Sequence, residues 1–432
     1  MSALPPLSAE TGLPPAEPPR PDANSDRPDL RILYAGGPGD LLGTFHKWRE
    51  GRHDSNEVSF AYSEEYYSLA EELDAESVVV ATHDRPGYLK QGKFTVLHHP
   101  VPSRARGGIA YHLGEVRFAF WLASTAIRNR CNLMIVGDHV HWFALWPARL
   151  FGIRIIAALH STLWTAGFRS RSRVSDVLNA INGLFWRSSV ESALCISPEV
   201  QRQYSSATGF TGPMHQVRAQ YFPEVFAKIA PPPTVAGELH CFFAGRLDRG
   251  KGVFDLIEIA IRLQAERPGE FHFELAGVGS ASEEVQRRIA ELGLQESFRL
   301  LGQLDMDGMA AAYGRSQVVV VPTNSHFAEG MNRVCIEAIL AHRPVVSSPA
   351  CPATEVLADA VAAVPVGDID AYCKALKMLK DDPEHYRRLS VATEKYVAPF
   401  YDRSKGYRAC LHRAIKKLPP GAPLYTEMKN GT

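Results

Sequence analysis

Leu239-His240-Cys241-Phe242-Phe243-Ala244 runs straight into Gly245-Arg246-Leu247-Asp248-Arg249-Gly250-Lys251-Gly252, and from Val253 the apolar period changes. The first six residues are a short, nearly continuous apolar run, which suits a parallel strand covered on both faces. Val253, Leu256, Ile257, Ala260, Ile261 and Leu263 largely keep the i, i+3, i+4, i+7 spacing of a helix over 253–264. Strand, glycine turn and helix make the repeating unit of an α/β fold. The rhythm extends both ways. Strands are predicted downstream at 271–276, 318–321 and 345–346, and upstream at 31–35, 78–81, 94–97, 133–136, 153–159 and 193–196. Pro223 and then Pro231-Pro232-Pro233 break it, since three prolines continue neither a helix nor a central strand. The pattern predicts two doubly wound α/β domains in tandem, with ligands beyond the carboxyl ends of the strands.

The 432 residues suffice for two domains of ordinary size. A 45% hydrophobic and 22% charged composition is that of a soluble globular protein. Lys+Arg and Asp+Glu both number 47, which speaks against a dedicated nucleic-acid binder. No apolar run approaches the ~20 residues of a membrane span. The start lacks a basic n-region and an apolar h-region, so no secretory signal is expected. Seven scattered cysteines without a C-x-x-C predict reduced core thiols and a cytoplasmic location. Residues 1–28, with eight prolines and few large apolar residues, predict a disordered tail.

Glu329-Gly330-Met331-Asn332-Arg333-Val334-Cys335-Ile336-Glu337-Ala338 follows the strand at 318–321. With a helix starting near Met331, Glu329 stays in the loop and Glu337 lies about two turns in, on roughly the same side. A helix N-terminus with a glycine suits an anion, so a diphosphate would sit on Gly330, Met331 and Asn332. Two carboxylates beside it accept hydrogen bonds from sugar hydroxyls; the plainer reading is a capping Glu329 and a Glu337 on an exposed face. In the first motif, Lys251 near a helix start opposes the dipole unless an anion is bound. Arg246, Arg249 and Lys251 either neutralise a phosphate or form a solvated charged turn.

These features make residues 240–380 resemble the donor-binding domain of retaining GT-B glycosyltransferases of family 4. The likeness rests on Gly245-Arg246-Leu247 with Lys251-Gly252, Leu275-Ala276-Gly277-Val278-Gly279, Leu301-Gly302, and the pair Glu329 and Glu337. It covers most of residues 30–415, strongly in the second half and weakly in the first. It implies that Arg246 and Lys251 contact the donor diphosphate, that Glu329 holds donor-sugar hydroxyls and that Glu337 holds the ribose. Backbone groups around Gly302, Gln303 and Leu304 would contact the base. It further implies an acceptor-side domain over 29–225 and a nucleotide-sugar domain over 226–398. Residues 399–432 would supply a helix packing back on the first domain, followed by a tail.

The first half carries weaker signals. Gly36-Gly37-Pro38-Gly39 turns from a strand into a helix, so Gly37 and Gly39 either let backbone N–H groups approach a phosphate or make a tight turn. A dinucleotide fingerprint is the third reading, but the next expected strand, near 58–62, ends without a clear ribose-binding acid. His160 directly follows the strand at 153–159, at the mouth of a cleft; the resemblance implies a histidine near the reacting sugar here, and the plainer reading is a hydrogen-bonded surface histidine. Asp138-His139-Val140-His141 invites a metal site, though no further ligand set accompanies it, and the metal-free reading is favoured. Asp305 and Asp307 read as helix caps rather than a D-x-D metal motif. Phe168-Arg169-Ser170-Arg171-Ser172-Arg173-Val174 is a solvated loop or a peripheral membrane contact. Gln216 to Phe222 departs from the usual Pro-Asn-Gly-type stretch of the resembling family.

The expectation is therefore a GT-B glycosyltransferase that moves a sugar, with retention, from a nucleotide-diphosphate sugar to a glycan or lipid-linked acceptor. It would use no cofactor and no metal and sit in the cytoplasm, in reach of the inner membrane face. Alternatives are a nucleotide-sugar epimerase of the same fold, a catalytically silent sugar-nucleotide-binding protein, and a nicotinamide oxidoreductase resting on Gly37 and Gly39.

Overall fold

The computed structural model describes residues 30–101, 108–138, 140–169, 173–233, 235 and 237–416. Residues 1–28, His139, residues 170–172 of the basic run and residues 417–432 lie outside them. Among the described residues fourteen strands form two sheets. The first holds β1 (Arg31–Pro38), β2 (Glu76–Thr82), β3 (Gly87–Gln91), β4 (Phe94–His98), β5 (Leu133–Gly137), β6 (Arg154–Leu159), β7 (Val190–Cys195) and β8 (Met214–Gln216). Their order is β3-β4-β2-β1-β5-β6-β7-β8, and all pairs are parallel except β3 with β4. The second sheet is wholly parallel. It comprises β9 (Leu239–Ala244), β10 (Phe271–Ala276), β11 (Phe298–Gly302), β12 (Val318–Val321), β13 (Val345–Ser347) and β14 (Val361–Ala363), ordered β11-β10-β9-β12-β13-β14. Two doubly wound α/β units are thus present, as the sequence pattern predicts.

Both faces of each sheet are covered. Leu33 and Ala35 of β1 enter one apolar cluster, while Ile32 and Tyr34, which alternate with them, enter another. This is why the central strands read as continuous apolar runs. The four strands that the pattern leaves out, β3, β8, β11 and β14, are the four sheet edges. An edge strand has a solvated side and needs no such run. Residues 58–62, offered as a strand, form only an isolated bridge between Ser59 and Tyr221 before a helix begins at Tyr62. All seven cysteines are buried and free.

In both units the chain winds outward in two directions from one central pair, β1/β5 and β9/β12. These switch points are where an open parallel sheet leaves a crevice. The last helix, Tyr407–Lys416, packs on helix Tyr62–Glu72, burying Tyr407, Cys410 and Leu411 in the first unit's core. Arg408 forms an ion pair with Glu72 there. Among the described residues no helix is long and apolar enough to cross a membrane.

Candidate active site

A cavity of about 480 Å³ opens beyond the carboxyl ends of β9 to β12. The turn after β9 contributes Gly245, Arg246 and Lys251; the ends of β10 and β11 contribute Gly277, Gln303 and Leu304. The loop after β12 contributes Glu329, Met331, Asn332, Arg333 and Glu337, and the first unit closes the space with Asn56, Glu57 and Val58. The turn after β9 is held tightly. Gly252 has φ +77°, and a Cβ there would lie 2.0 Å from the Pro322 carbonyl oxygen, so glycine alone brings this turn against the β12 loop.

Lys251 and Glu329 meet in one ion pair, Nζ to Oε1 at 2.7 Å, with side chains only 14% and 9% exposed. The other carboxylate oxygen of Glu329 accepts from Thr323 Oγ1 and Asn332 Nδ2, each at 3.1 Å. Phe327 lies under the Lys251 ammonium, 4.3 Å from Nζ to the ring centroid. The residues assigned to diphosphate and to sugar hydroxyls are therefore paired with each other. Arg246 is exposed at the cavity wall and pairs with Asp248 at 3.3 Å. Arg249 departs from the expected phosphate cluster. It is outside the cavity lining and turns to Glu284 at 2.6 Å, because one turn of 3₁₀ helix over Arg249–Lys251 separates the two side chains.

The helix after Glu329 is Arg333–Leu340, so it begins two residues later than the spacing suggested. Asn332 is its cap, and its side chain accepts from the N–H groups of Val334 and Cys335. Those two first-turn donors are thereby used, which leaves the backbone of the preceding loop to face the cavity. Gly330 answers to a close approach instead. A Cβ there would lie 2.1 Å from the His160 carbonyl oxygen. Glu337 is buried, accepts from Tyr313 Oη at 3.0 Å, and still lines the cavity. Burial pushes its carboxyl up, against the downward pull of Arg333 and the Tyr313 hydroxyl.

His160 is brought to the seam between the units by its backbone. Its ring packs on Tyr62, with centroids 4.8 Å apart, and is not part of the cavity wall. Its N–H donates to Asp138 at 2.6 Å. Two hydroxyls of the same loop cross the seam: Thr162 donates to the Glu329 carbonyl at 3.2 Å and Thr165 to the Ser325 carbonyl at 3.0 Å. Gly37 and Gly39 have positive φ but face open space and are not among the cavity-lining residues. Gly302 likewise turns with positive φ, just behind Gln303 and Leu304, which reach the cavity.

A second cavity, about 330 Å³, lies in the first unit between helices Gly108–Arg128 and Arg173–Ser189, with Ala328 at its border. His112 Nδ1 and His141 Nε2 are 3.1 Å apart in its wall. Burial and His112 push His141 down to about 4, and burial pushes the Asp138 carboxyl up to about 7. Asp138 is occupied by the His160 N–H and by Tyr204 Oη at 3.0 Å. Among the described residues no cluster of three or more His, Cys, Asp or Glu could hold a metal ion. Asp305 caps helix Met306–Arg315 by accepting from the Gly308 N–H at 2.8 Å.

Arg333 is the site residue that the sequence reading missed. It spans the seam, with Nη2 donating to Glu57 at 2.8 Å and to Ser59. A cation at a helix start opposes the dipole, the same signal that singled out Lys251. Asn56 and Glu57 carry no local signal at all.

Residues 228–396 match the family model described as Glycosyl transferases group 1. Glycogen synthase of Mycobacterium tuberculosis is 24% identical over 282 residues, covering 61% of this chain and 64% of that protein. The chain thus spans under two thirds of the curated relative's length. Three solved structures share the fold. Sucrose-phosphate synthase from Thermosynechococcus elongatus has TM-score 0.63 and 15% identity over 89% of this chain and 98% of that one. The trehalose-6-phosphate protein from E. coli bound with UDP-2-fluoro glucose has TM-score 0.66 and 14% identity over 90% and 100%. The Anabaena HepE protein in complex with UDP and glucose has TM-score 0.59 and 15% identity over 90% and 100%. The chain therefore has the GT-B architecture, two doubly wound α/β units facing across a cleft, and its second unit is similar to the glycosyl transferases group 1 family model over residues 228–396.

Proposed function

We propose that the chain is a glycosyltransferase that moves a sugar from a nucleoside diphosphate sugar to an acceptor hydroxyl, with retention of configuration. The observation that carries this reading is the cavity at the β9/β12 switch point. There Arg246 and Lys251 face the same space as Glu329 and Glu337, inside the segment that matches the family model. In this reading the base lies against Gln303 and Leu304, the ribose hydroxyls donate to Glu337, and the diphosphate meets Arg246, Lys251 and the loop at Met331 and Asn332.

The Lys251–Glu329 pair then works as an exchange. An incoming diphosphate competes for the Lys251 ammonium, and the carboxylate oxygen it releases accepts from sugar hydroxyls. Thr323 and Asn332 hold Glu329 in place meanwhile. Negative charge grows on the leaving diphosphate as the glycosidic bond breaks, so fixed cations favour the transition state over the bound donor. The reading needs neither metal nor cofactor, and retention follows from the resemblance to family 4. Fold relatives bound with UDP and UDP-2-fluoro glucose make UDP-sugars the first donors to try. A thermal-shift panel of nucleotide sugars, followed by nucleotide release with and without glycan acceptors, tests the proposal. If no nucleotide sugar raises the melting temperature, the reading is wrong; sugar conversion without acceptor would favour an epimerase.

A further inference from the structure

Helix Arg173–Ser189 is apolar on two sides. Phe185 and Trp186 are buried in the first unit's core, and Asn182 lines the second cavity. On the outer side Val174, Val177, Ile181 and Leu184 are all exposed. Their spacing of three and four residues aligns them in one stripe. A surface helix of a globular protein carries polar residues on that side. The stripe does not stand alone. The neighbouring helix Trp146–Leu150 brings Trp146 against Phe185 and ends in Leu150 and Phe151, which are 80% and 70% exposed.

Charge is distributed in the same sense. Residues 102–191 contain eleven arginines and no lysine against four acids, although the whole chain balances 47 against 47. Of those acids Glu115 and Asp138 are buried, Asp176 is engaged by Arg169 at 3.2 Å, and Glu191 is engaged by Arg154, which leaves the arginines in excess. An apolar face set in an arginine-rich region matches an anionic lipid surface, where apolar side chains enter the acyl boundary and guanidinium groups meet phosphates. The same positive excess disfavours a second copy of this chain, because a two-fold dimer would bring like charges together.

We propose that this face docks the protein on an anionic lipid surface, with the Val177–Ile181–Leu184 stripe and Leu150–Phe151 in the acyl boundary. Docking there sets the second cavity, walled by the inner side of the same helix, beside the bilayer, so the acceptor is of the lipid-borne class. That last step rests on the transferase reading; the docking itself does not. The test is sedimentation of the full-length protein with vesicles of phosphatidylglycerol and phosphatidylcholine, against phosphatidylcholine alone. Binding to the anionic vesicles only is expected, weakening as salt rises. Ile181→Asp/Leu184→Asp and, separately, Leu150→Glu/Phe151→Glu should each lower binding at least ~10-fold. Melting temperature and the nucleotide-sugar thermal shift should be unchanged, because these side chains are exposed. Three results overturn the proposal: no sedimentation with either vesicle, equal binding by the variants, or a vesicle-free oligomer that the same variants make monomeric. If vesicle binding holds while no nucleotide sugar shifts the protein, the docking stands and the transferase reading falls.

Discussion

Replacing Lys251 by Met takes the cation away from Glu329 in a site where both partners are largely buried and 2.7 Å apart. Removing one member of a buried pair typically costs ~3–5 kcal/mol, because the remaining charge has lost its compensation. Thr323 and Asn332 still donate to Glu329, which argues for the lower end, about 3 kcal/mol. At ~2–4 °C per kcal/mol for a domain of this size, the melting temperature should fall by roughly 6–12 °C. Glu329→Gln should fall similarly, since it strands the ammonium. The double variant Lys251→Met/Glu329→Gln removes both charges and should recover most of that loss, as replacing a whole buried pair is often close to neutral. Turnover should behave otherwise. Losing a fixed cation at the leaving group typically lowers kcat by roughly 10²–10³, and the double variant restores no cation, so its activity should stay lost. Calorimetry and steady-state kinetics on the three variants separate the two roles. A double variant that melts as low as the two losses added together, or one that regains activity, would refute the reasoning.

Other outcomes follow from the same geometry. Glu337→Ala should weaken binding of the nucleoside diphosphate itself, whereas Glu329→Ala should spare it and weaken only the full nucleotide sugar; titration calorimetry with both ligands distinguishes them. Burial raises the Glu337 carboxyl and the Tyr313 hydroxyl opposes that rise, so nucleotide binding should weaken as pH falls through the raised value, and Tyr313→Phe should move that edge to higher pH. Gly330→Ala should force the His160 loop away, at a cost of ~1–3 kcal/mol, and small-angle scattering should show a wider cleft; an unchanged profile and stability would exclude that contact as a constraint. Glu65 is pushed up to about 7 by burial beside helix Tyr407–Lys416. The folded state thus holds its proton more tightly than the unfolded state, and this contribution is present below pH 4.5 and lost as pH rises to about 7. Glu65→Gln should therefore melt higher than the parent protein at pH 8 and nearly alike at pH 4; equal melting at both would remove Glu65 from the pH dependence.

Ten of the strands, the turn after β9 and the Asp305 cap were legible in the chain itself, because each depends on hydrogen bonding and burial within a few residues. Leu239–Ala244 needs apolar residues throughout since both its faces are covered, and Gly252 is demanded by the turn that follows. The edge strands β3, β8, β11 and β14 escaped because one side of each meets solvent and no local run marks them. What only the tertiary structure decided are the pairings across distance. Lys251 meets Glu329 over 78 residues, and Arg333 meets Glu57 over 276. Both follow from which strands lie side by side and how the two sheets face each other. A charged residue's local pattern shows that it needs a partner, but the crossovers of the chain choose the partner. The outward stripe on helix Arg173–Ser189 belongs to the same class. Its apolar spacing is the spacing of a core helix, and only packing shows that one side has been left uncovered.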